Sequence, residues 1–222
     1  MKEIRQIIRQ TAGTTHSVNK FQGIEESVLK RKFIEHANEF VRKTNPNSKF
    51  EVDQSNKEII SDLFCYFIGK EGKLDLNKGI WMMGEPGTGK SALLYIFSSF
   101  LRSFRYGFKV HTANDIAIQF EQTGEIDLYT SNSSGYSGKP VELAIDEIGH
   151  EPRPSVHFGT KRNVIQYILH TRYGYWQHTG LKTYSTTNID MNEVELNYGD
   201  AIRDRIPHMF NVVHVGGDSR RK

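Results

Sequence analysis

The octapeptide Gly84-Glu85-Pro86-Gly87-Thr88-Gly89-Lys90-Ser91 constrains this chain more than any other feature. Its spacing is Gly-x-x-x-x-Gly-Lys-Ser, and each fixed position answers a physical need. Gly84, Gly87 and Gly89 let the backbone enter conformations closed to other residues, so that successive N–H groups converge on an anion. Lys90 supplies a point charge for the outer phosphates, and the Ser91 hydroxyl is a hard oxygen suited to Mg²⁺. Before the loop stands a short apolar run, Gly79-Ile80-Trp81-Met82-Met83, as in a strand buried on both faces. After it, Ala92, Leu93, Leu94, Ile96, Phe97, Phe100 and Leu101 recur at helical spacing. A strand feeding a helix through such a loop aims the positive end of the helix dipole at phosphate. The expected ligand is ATP with Mg²⁺, held by Gly84, Glu85, Pro86, Gly87, Thr88, Gly89, Lys90, Ser91 and Ala92.

The same alternation runs on downstream. A strand at 108–112 leads into a helix at 115–120, and a strand at 141–145 precedes a polar loop and a helix from about 163 to 176. A strand at 183–186 precedes the 192–204 region, and 209–215 reads as a last strand. Strands alternating with helices predict an α/β fold, a parallel sheet with helices on both faces. Upstream, Val28, Phe33, Ala37, Phe40 and Val41 fall at helical spacing among charged residues and predict a basic amphipathic helix over 24–44. Ser55 and Glu58 have the spacing of a capping box at the start of a second helix, which ends before Gly69. Residues 1–20 read as a short helix and a loose connection. Residues 123–139, rich in Gly, Ser, Thr and Asn, read as a mobile surface loop. The expected organisation is an N-terminal helical extension over 1–48 and a nucleotide-binding core over 49–222.

The run Val141-Glu142-Leu143-Ala144-Ile145-Asp146-Glu147 is a mostly apolar strand ending in two carboxylates. At the carboxyl end of a parallel strand both would stand beside the ligand crevice. Asp146 is placed to hold Mg²⁺ with Ser91. Glu147, facing the other way along the strand, is the group to polarise an attacking water.

Composition narrows the remaining classes. The 222 residues suffice for one α/β domain with a modest extension. No stretch approaches the roughly 18 apolar residues of a membrane span, and Met1-Lys2-Glu3-Ile4-Arg5 does not open a secretory signal. A single cysteine, Cys65, argues against a disulfide framework or a zinc site, so the cytoplasm is the default compartment. The net charge of +3 permits contact with nucleic acid without requiring it. Lys161-Arg162, Arg102 with Arg105, and Arg220-Arg221-Lys222 are candidate phosphate contacts. Tyr173, Tyr175 and Trp176 are candidate stacking platforms for unpaired bases, with a solvated face and core aromatics as the plainer readings. The nine histidines show no metal-ligand spacing.

Further motifs follow in a set order: Ser185-Thr186-Thr187-Asn188, then Tyr198-Gly199-Asp200-Ala201-Ile202-Arg203-Asp204-Arg205-Ile206, with Arg172-Tyr173 before them and Gly216-Gly217-Asp218-Ser219-Arg220 at the close. Together with the phosphate loop and Asp146-Glu147, this set resembles the AAA+ ATPases, specifically the DnaC-type helicase loaders and the IstB-type transposition ATPases. The resemblance covers about residue 50 to the C-terminus. It implies a P-loop NTPase fold of AAA+ type, with Asn188 as the sensor-1 residue. Arg205, or Arg203 close by, would be an arginine finger reaching a neighbouring subunit's ATP; an ion pair with Asp200 or Asp204 is the plainer reading. It further implies a homo-oligomer with a shared ATP site, a replicative helicase (or a transposase) as partner, and single- or double-stranded DNA as a further contact.

Two departures matter. Many loaders carry Asp-Asp where this chain has Asp146-Glu147, and the Glu favours competent hydrolysis. The chain also ends soon after its last strand, without room for a C-terminal lid domain, which agrees with loaders and counts against a DnaA-type initiator. The 24–44 helix is expected either to dock a helicase or simply to pack on the core. Readings from other classes are a P-loop kinase of a small molecule and a nucleotide-dependent binding module with negligible turnover.

Overall fold

The structure, a computed structural model, describes residues 21–135 and 138–220. The short helix expected within residues 1–20, and Arg221 and Lys222, lie outside the described residues. In chain order the elements are α1 (Glu26–Arg42), α2 (Lys57–Phe67), β1 (Gly79–Met83), α3 (Lys90–Ser103), β2 (Lys109–Thr112) and α4 (Ala113–Thr123). A 3₁₀ turn at Asp127–Tyr129, β3 (Leu143–Ile148) and the strands β4 (Ser155–His157) and β5 (Thr160–Arg162) come next. The described part closes with α5 (Val164–Thr179), β6 (Thr183–Thr187), α6 (Met191–Tyr198), α7 (Asp200–Met209) and β7 (Phe210–His214).

Five strands form one parallel sheet in the order β2-β3-β6-β1-β7. β1 is buried at every position, as its unbroken apolar run demands of a strand covered on both faces. Its neighbour β6, Thr183-Tyr184-Ser185-Thr186-Thr187, is equally buried, yet four of its five residues carry aliphatic hydroxyls. One face of the sheet is covered by α1, α2 and α3. There Phe97 of α3 stacks between Phe33 of α1 and Phe67 of α2, at centroid distances of 4.7 and 4.6 Å. Burying each such ring contributes roughly 1.5–3 kcal/mol. Leu29, Phe33 and Ala37 are the buried stripe of α1, so that helix packs on the sheet's helical layer with its charged face outward. The opposite face gathers Trp81, Ile165, Ile168, Ile202, Ile206 and Phe210 beneath α4, α5 and α7. Among the described residues no helix is long and apolar enough to cross a membrane.

Three local expectations are corrected. Ser55 and Glu58 form no capping box: α2 opens at Asn56 without a side-chain cap. Ser55 Oγ donates instead to the Asp53 carboxylate at 2.6 Å, and Glu58 pairs with Lys73. A charged acceptor two residues away outcompetes a backbone N–H of the helix. A true capping box sits at Asp190 and Glu193, at the head of α6. The stretch 123–139 is not a surface loop throughout, because Tyr129, Thr130 and Ser133 are buried. Ser133 Oγ accepts from the Val141 N–H at 2.6 Å and Tyr129 packs edge-on to His111, which draws the segment back onto the domain. The polar loop after β3 holds the β4–β5 hairpin, turned at Phe158 and Gly159 with φ of 43° and 84°. Two successive positive φ values make a tight hairpin turn.

Candidate nucleotide site

The loop after β1 takes the conformation its glycines allow. Gly87 has φ 87° and Gly84 has φ 147°. Both also lie under a returning segment: a Cβ on Gly84 would stand 2.2 Å from the Val215 carbonyl oxygen, and one on Gly87 2.4 Å from Ser219 Oγ. That segment is fastened by Val215 N–H to the Met83 carbonyl at 2.8 Å and by Arg220 N–H to the Gly87 carbonyl at 2.9 Å. Lys90 begins α3 almost fully buried, and its ammonium donates to the carbonyls of Gly84 at 2.6 Å and Glu85 at 2.8 Å. Thr88 Oγ1 also donates to the Glu85 carbonyl, at 2.9 Å. The ammonium is thereby held under the loop, where a phosphate laid on the backbone N–H groups would meet it.

Facing the loop are the carboxyl ends of β3 and β6. Asp146 is 3% exposed, and its Oδ1 accepts from Ser91 Oγ at 2.9 Å and from Thr186 Oγ1. Burial holds the Asp146 pKa above the ordinary carboxylate value, although the two hydroxyl bonds oppose the rise. A buried carboxylate beside a hydroxyl fits a hard divalent cation, whose charge would reverse that effect. Glu147 turns away from Asp146 through a left-handed backbone (φ 59°), where the β3–β6 register shifts between Ile145 and Ile148. Thr186 Oγ1 accepts the Glu147 N–H at 2.9 Å and so stabilises this bulge. Asn188 follows β6 directly, its Nδ2 lying 3.0 Å from His150 Nε2.

These parts enclose a cavity of about 210 Å³ lined by Pro86, Gly87, Gly89, Lys90, Ser91, Ala92, Glu147, Thr186, Asn188 and Arg220, with Asp146 just beneath on Ser91 and Thr186. An ammonium, a buried carboxylate with hydroxyls, an exposed carboxylate and an amide suit phosphoryl transfer from a nucleoside triphosphate to water.

Neither a family model nor a curated protein sequence matches the chain. Solved structures do. The chain superposes on the DnaC helicase loader with a TM-score of 0.54 at 17% identity, over 78% of this chain and 97% of that one. On DnaI the TM-score is 0.53 at 20% identity, over 83% and 93%. On the initiator DnaA bound to AMPPCP and single-stranded DNA it is 0.51 at 17% identity, over 75% of this chain and 48% of that one. The chain shares their fold, the α/β sheet of a P-loop NTPase.

Within this fold, Arg203 and Arg205 lie on α7 and do not line the cavity. Arg203 pairs with Glu195 at 2.9 Å, not with Asp200 or Asp204. Arg205 lays its guanidinium 4.7 Å over the Tyr173 ring and donates to His170 Nδ1. Burial first, and the Arg205 charge second, hold the His170 pKa below its ordinary value. Tyr173 and Trp176 are both engaged, the first with His208 Nδ1 at 2.8 Å and the second with the Asn77 carbonyl at 2.8 Å. Arg172 is fully buried and ties α5 to its surroundings through Thr183 Oγ1 and the carbonyls of Tyr129, Val141 and Lys182.

Sequence reasoning did not place three residues at the cavity or its rim. Thr186 bridges both acids, His150 bonds Asn188, and Arg220 lines the cavity while its guanidinium grips Asp53 at 2.9 and 3.1 Å. Hydrogen bonding and the Arg220 charge hold Asp53 at about 2. The closing motif Gly216–Arg220 was the one available signal for Arg220, while nothing in local spacing marks His150.

Proposed function

We propose that this chain binds ATP with Mg²⁺, hydrolyses it as an AAA+ ATPase, and serves DNA replication as a DnaC-like loader that remodels a replicative helicase on DNA. The observation that carries the reading is one cavity, at the carboxyl ends of β3 and β6, shared by Lys90, Ser91, Glu147 and Asn188 with Asp146 beneath. Lys90 and the loop N–H groups bind the phosphates, and Ser91 with Asp146 holds Mg²⁺, which would neutralise developing negative charge. Glu147 draws the proton from the attacking water, and Asn188 helps to orient it. Among the described residues the cations that line the cavity are Lys90 and Arg220, and a transition-state cation from a second copy completes the proposed site. Arg205 is the proposed donor, presented on α7 by Tyr173 and His170, with Arg203 beside it as the second candidate. Lys161, with Phe158 97% exposed at the hairpin tip, offers a charge and a ring to single-stranded DNA. The solved loaders and the DnaA bound to single-stranded DNA share the fold, which supports the replication reading.

The test is ATPase rate against protein concentration, with and without single-stranded DNA, for wild type, Glu147→Gln and Arg205→Ala. Turnover should rise steeply with concentration, and each variant should fall by about 10³-fold or more. Mixing the two variants should restore activity, because an intact site on one subunit then meets an intact Arg205 on the other. Concentration-independent turnover untouched by Arg205→Ala would sink the shared site and favour a small-molecule kinase. An inactive wild type that still binds ATP would favour a nucleotide-dependent binding module.

A further inference from the structure

An asparagine amide has two ends of opposite polarity: its carbonyl accepts and its NH₂ donates. Which end of Asn188 faces the cavity decides whether it donates to a phosphate oxygen or accepts a hydrogen from water. On an exposed turn the amide could rotate between the two. Here its Nδ2 is bonded to His150 Nε2 at 3.0 Å. Because NH₂ has only hydrogens to offer, Nε2 must be the accepting nitrogen, and the neutral imidazole carries its proton on Nδ1. The opposite tautomer would donate to Oδ1 and turn the amide over. The tautomer of His150 and the orientation of Asn188 are therefore one variable.

The approach of the two residues is fixed, because the segments 146–150 and 186–189 are joined rung by rung. Glu147 N–H meets Thr186 Oγ1 at 2.9 Å, and Thr187 Oγ1 donates to the Ile148 carbonyl at 2.7 Å. Gly149, at φ 110°, lies so close to Ile189 that a Cβ would be 3.0 Å from its methyl group. That approach delivers His150 to Asn188. Asn188 lines the cavity and His150 does not. With Nδ2 tethered to a residue outside the lining, Oδ1 is the end of the amide left for the cavity that Glu147 also lines.

We propose that His150 is a positioning residue that holds the Asn188 amide with its oxygen toward the cavity, so that Asn188 orients the attacking water as an acceptor instead of donating to phosphate. The inference rests on the ATPase reading above. It is tested by steady-state kinetics at saturating protein on wild type, Asn188→Ala, His150→Phe, His150→Gln and the Asn188→Ala/His150→Phe pair, with a fluorescent ATP analogue to measure binding. His150→Phe keeps a ring and removes the acceptor, so kcat should fall about tenfold while KM for ATP stays within about twofold. His150→Gln, whose Oε1 can accept from Nδ2, should recover most of the loss. The double variant should be no slower than Asn188→Ala alone. Unchanged kcat in His150→Phe, a failure of Gln to rescue, or a further drop in the double variant would overturn the proposal. An Asn188→Ala as fast as wild type would likewise overturn the proposal, whereas an inactive wild type would overturn the ATPase reading beneath it.

Discussion

The Asp146 carboxylate lies under Ser91 and Thr186, and burial raises its pKa in the folded protein. A group that binds its proton more tightly when folded adds stability at low pH and loses it as pH rises through the raised value. The ionised form of Asp146 thus weighs against the nucleotide-free fold, the more so as pH rises. Asp146→Asn should raise the melting temperature of that form at pH 7, while ATPase falls by about 100-fold or more. Added Mg-ATP should reverse the ranking, since only wild type gains fully from the ligand. His170 and His111 have the opposite sign. Both sit below the ordinary histidine value, largely through burial, so their contribution is present above that value and lost as pH falls through the lowered one. Melting temperatures measured from pH 8 to 5 should decline, and His170→Gln should flatten part of the decline. Lys90, Ser91, Asp146 and Glu147 were legible from sequence because a fixed spacing and a strand end confine them. Thr186, His150 and Arg220 were not, because only strand register and a long-range return bring them to the cavity.

At the scale of elements, apolar periodicity carried most of the fold. The run 79–83 and the helical stripe after it gave β1 and α3, and the stripe 28–41 gave α1 at Glu26–Arg42. Short polar pieces escaped that signal. The β4–β5 strands have three residues each and no Asn-Gly at the turn, so neither alternation nor turn chemistry announced them. The Ser55–Glu58 spacing misled because a capping box depends on which acceptor lies nearer, and Asp53 wins. Arg172 looked like a family detail, yet it is the internal tie between α5, β6 and the 126–141 segment. Arg172→Leu would take the guanidinium from the buried Thr183 hydroxyl and Tyr129 carbonyl and from two partly buried carbonyls, and urea unfolding should show a loss of about 2–4 kcal/mol. Arg172→Lys should not restore it, because one ammonium cannot reproduce the planar fork.

Across the whole molecule, two segments far apart in sequence close over the phosphate loop. Asp53 and Ser55 hold the Arg220 guanidinium, while the Arg220 N–H holds Gly87. Hydrogen exchange with a non-hydrolysable ATP analogue should therefore slow at 53–55 and 217–220 as well as at 84–91, and Arg220→Ala should confine the protection to the loop. The middle of the sheet leads to a different kind of consequence. β6 separates the strand that feeds the phosphate loop from the strand that bears the acids, and its Thr186 and Thr187 hydroxyls fasten the bulge at Glu147. Valine at either position would keep the shape but leave the Glu147 N–H or the Ile148 carbonyl without its partner. The same exchange would unfasten Glu147 and shift the alignment of Asn188. The same two hydroxyls thus serve the strength of the innermost strand and the geometry of the candidate site, so a substitution there cannot spare one by giving up the other.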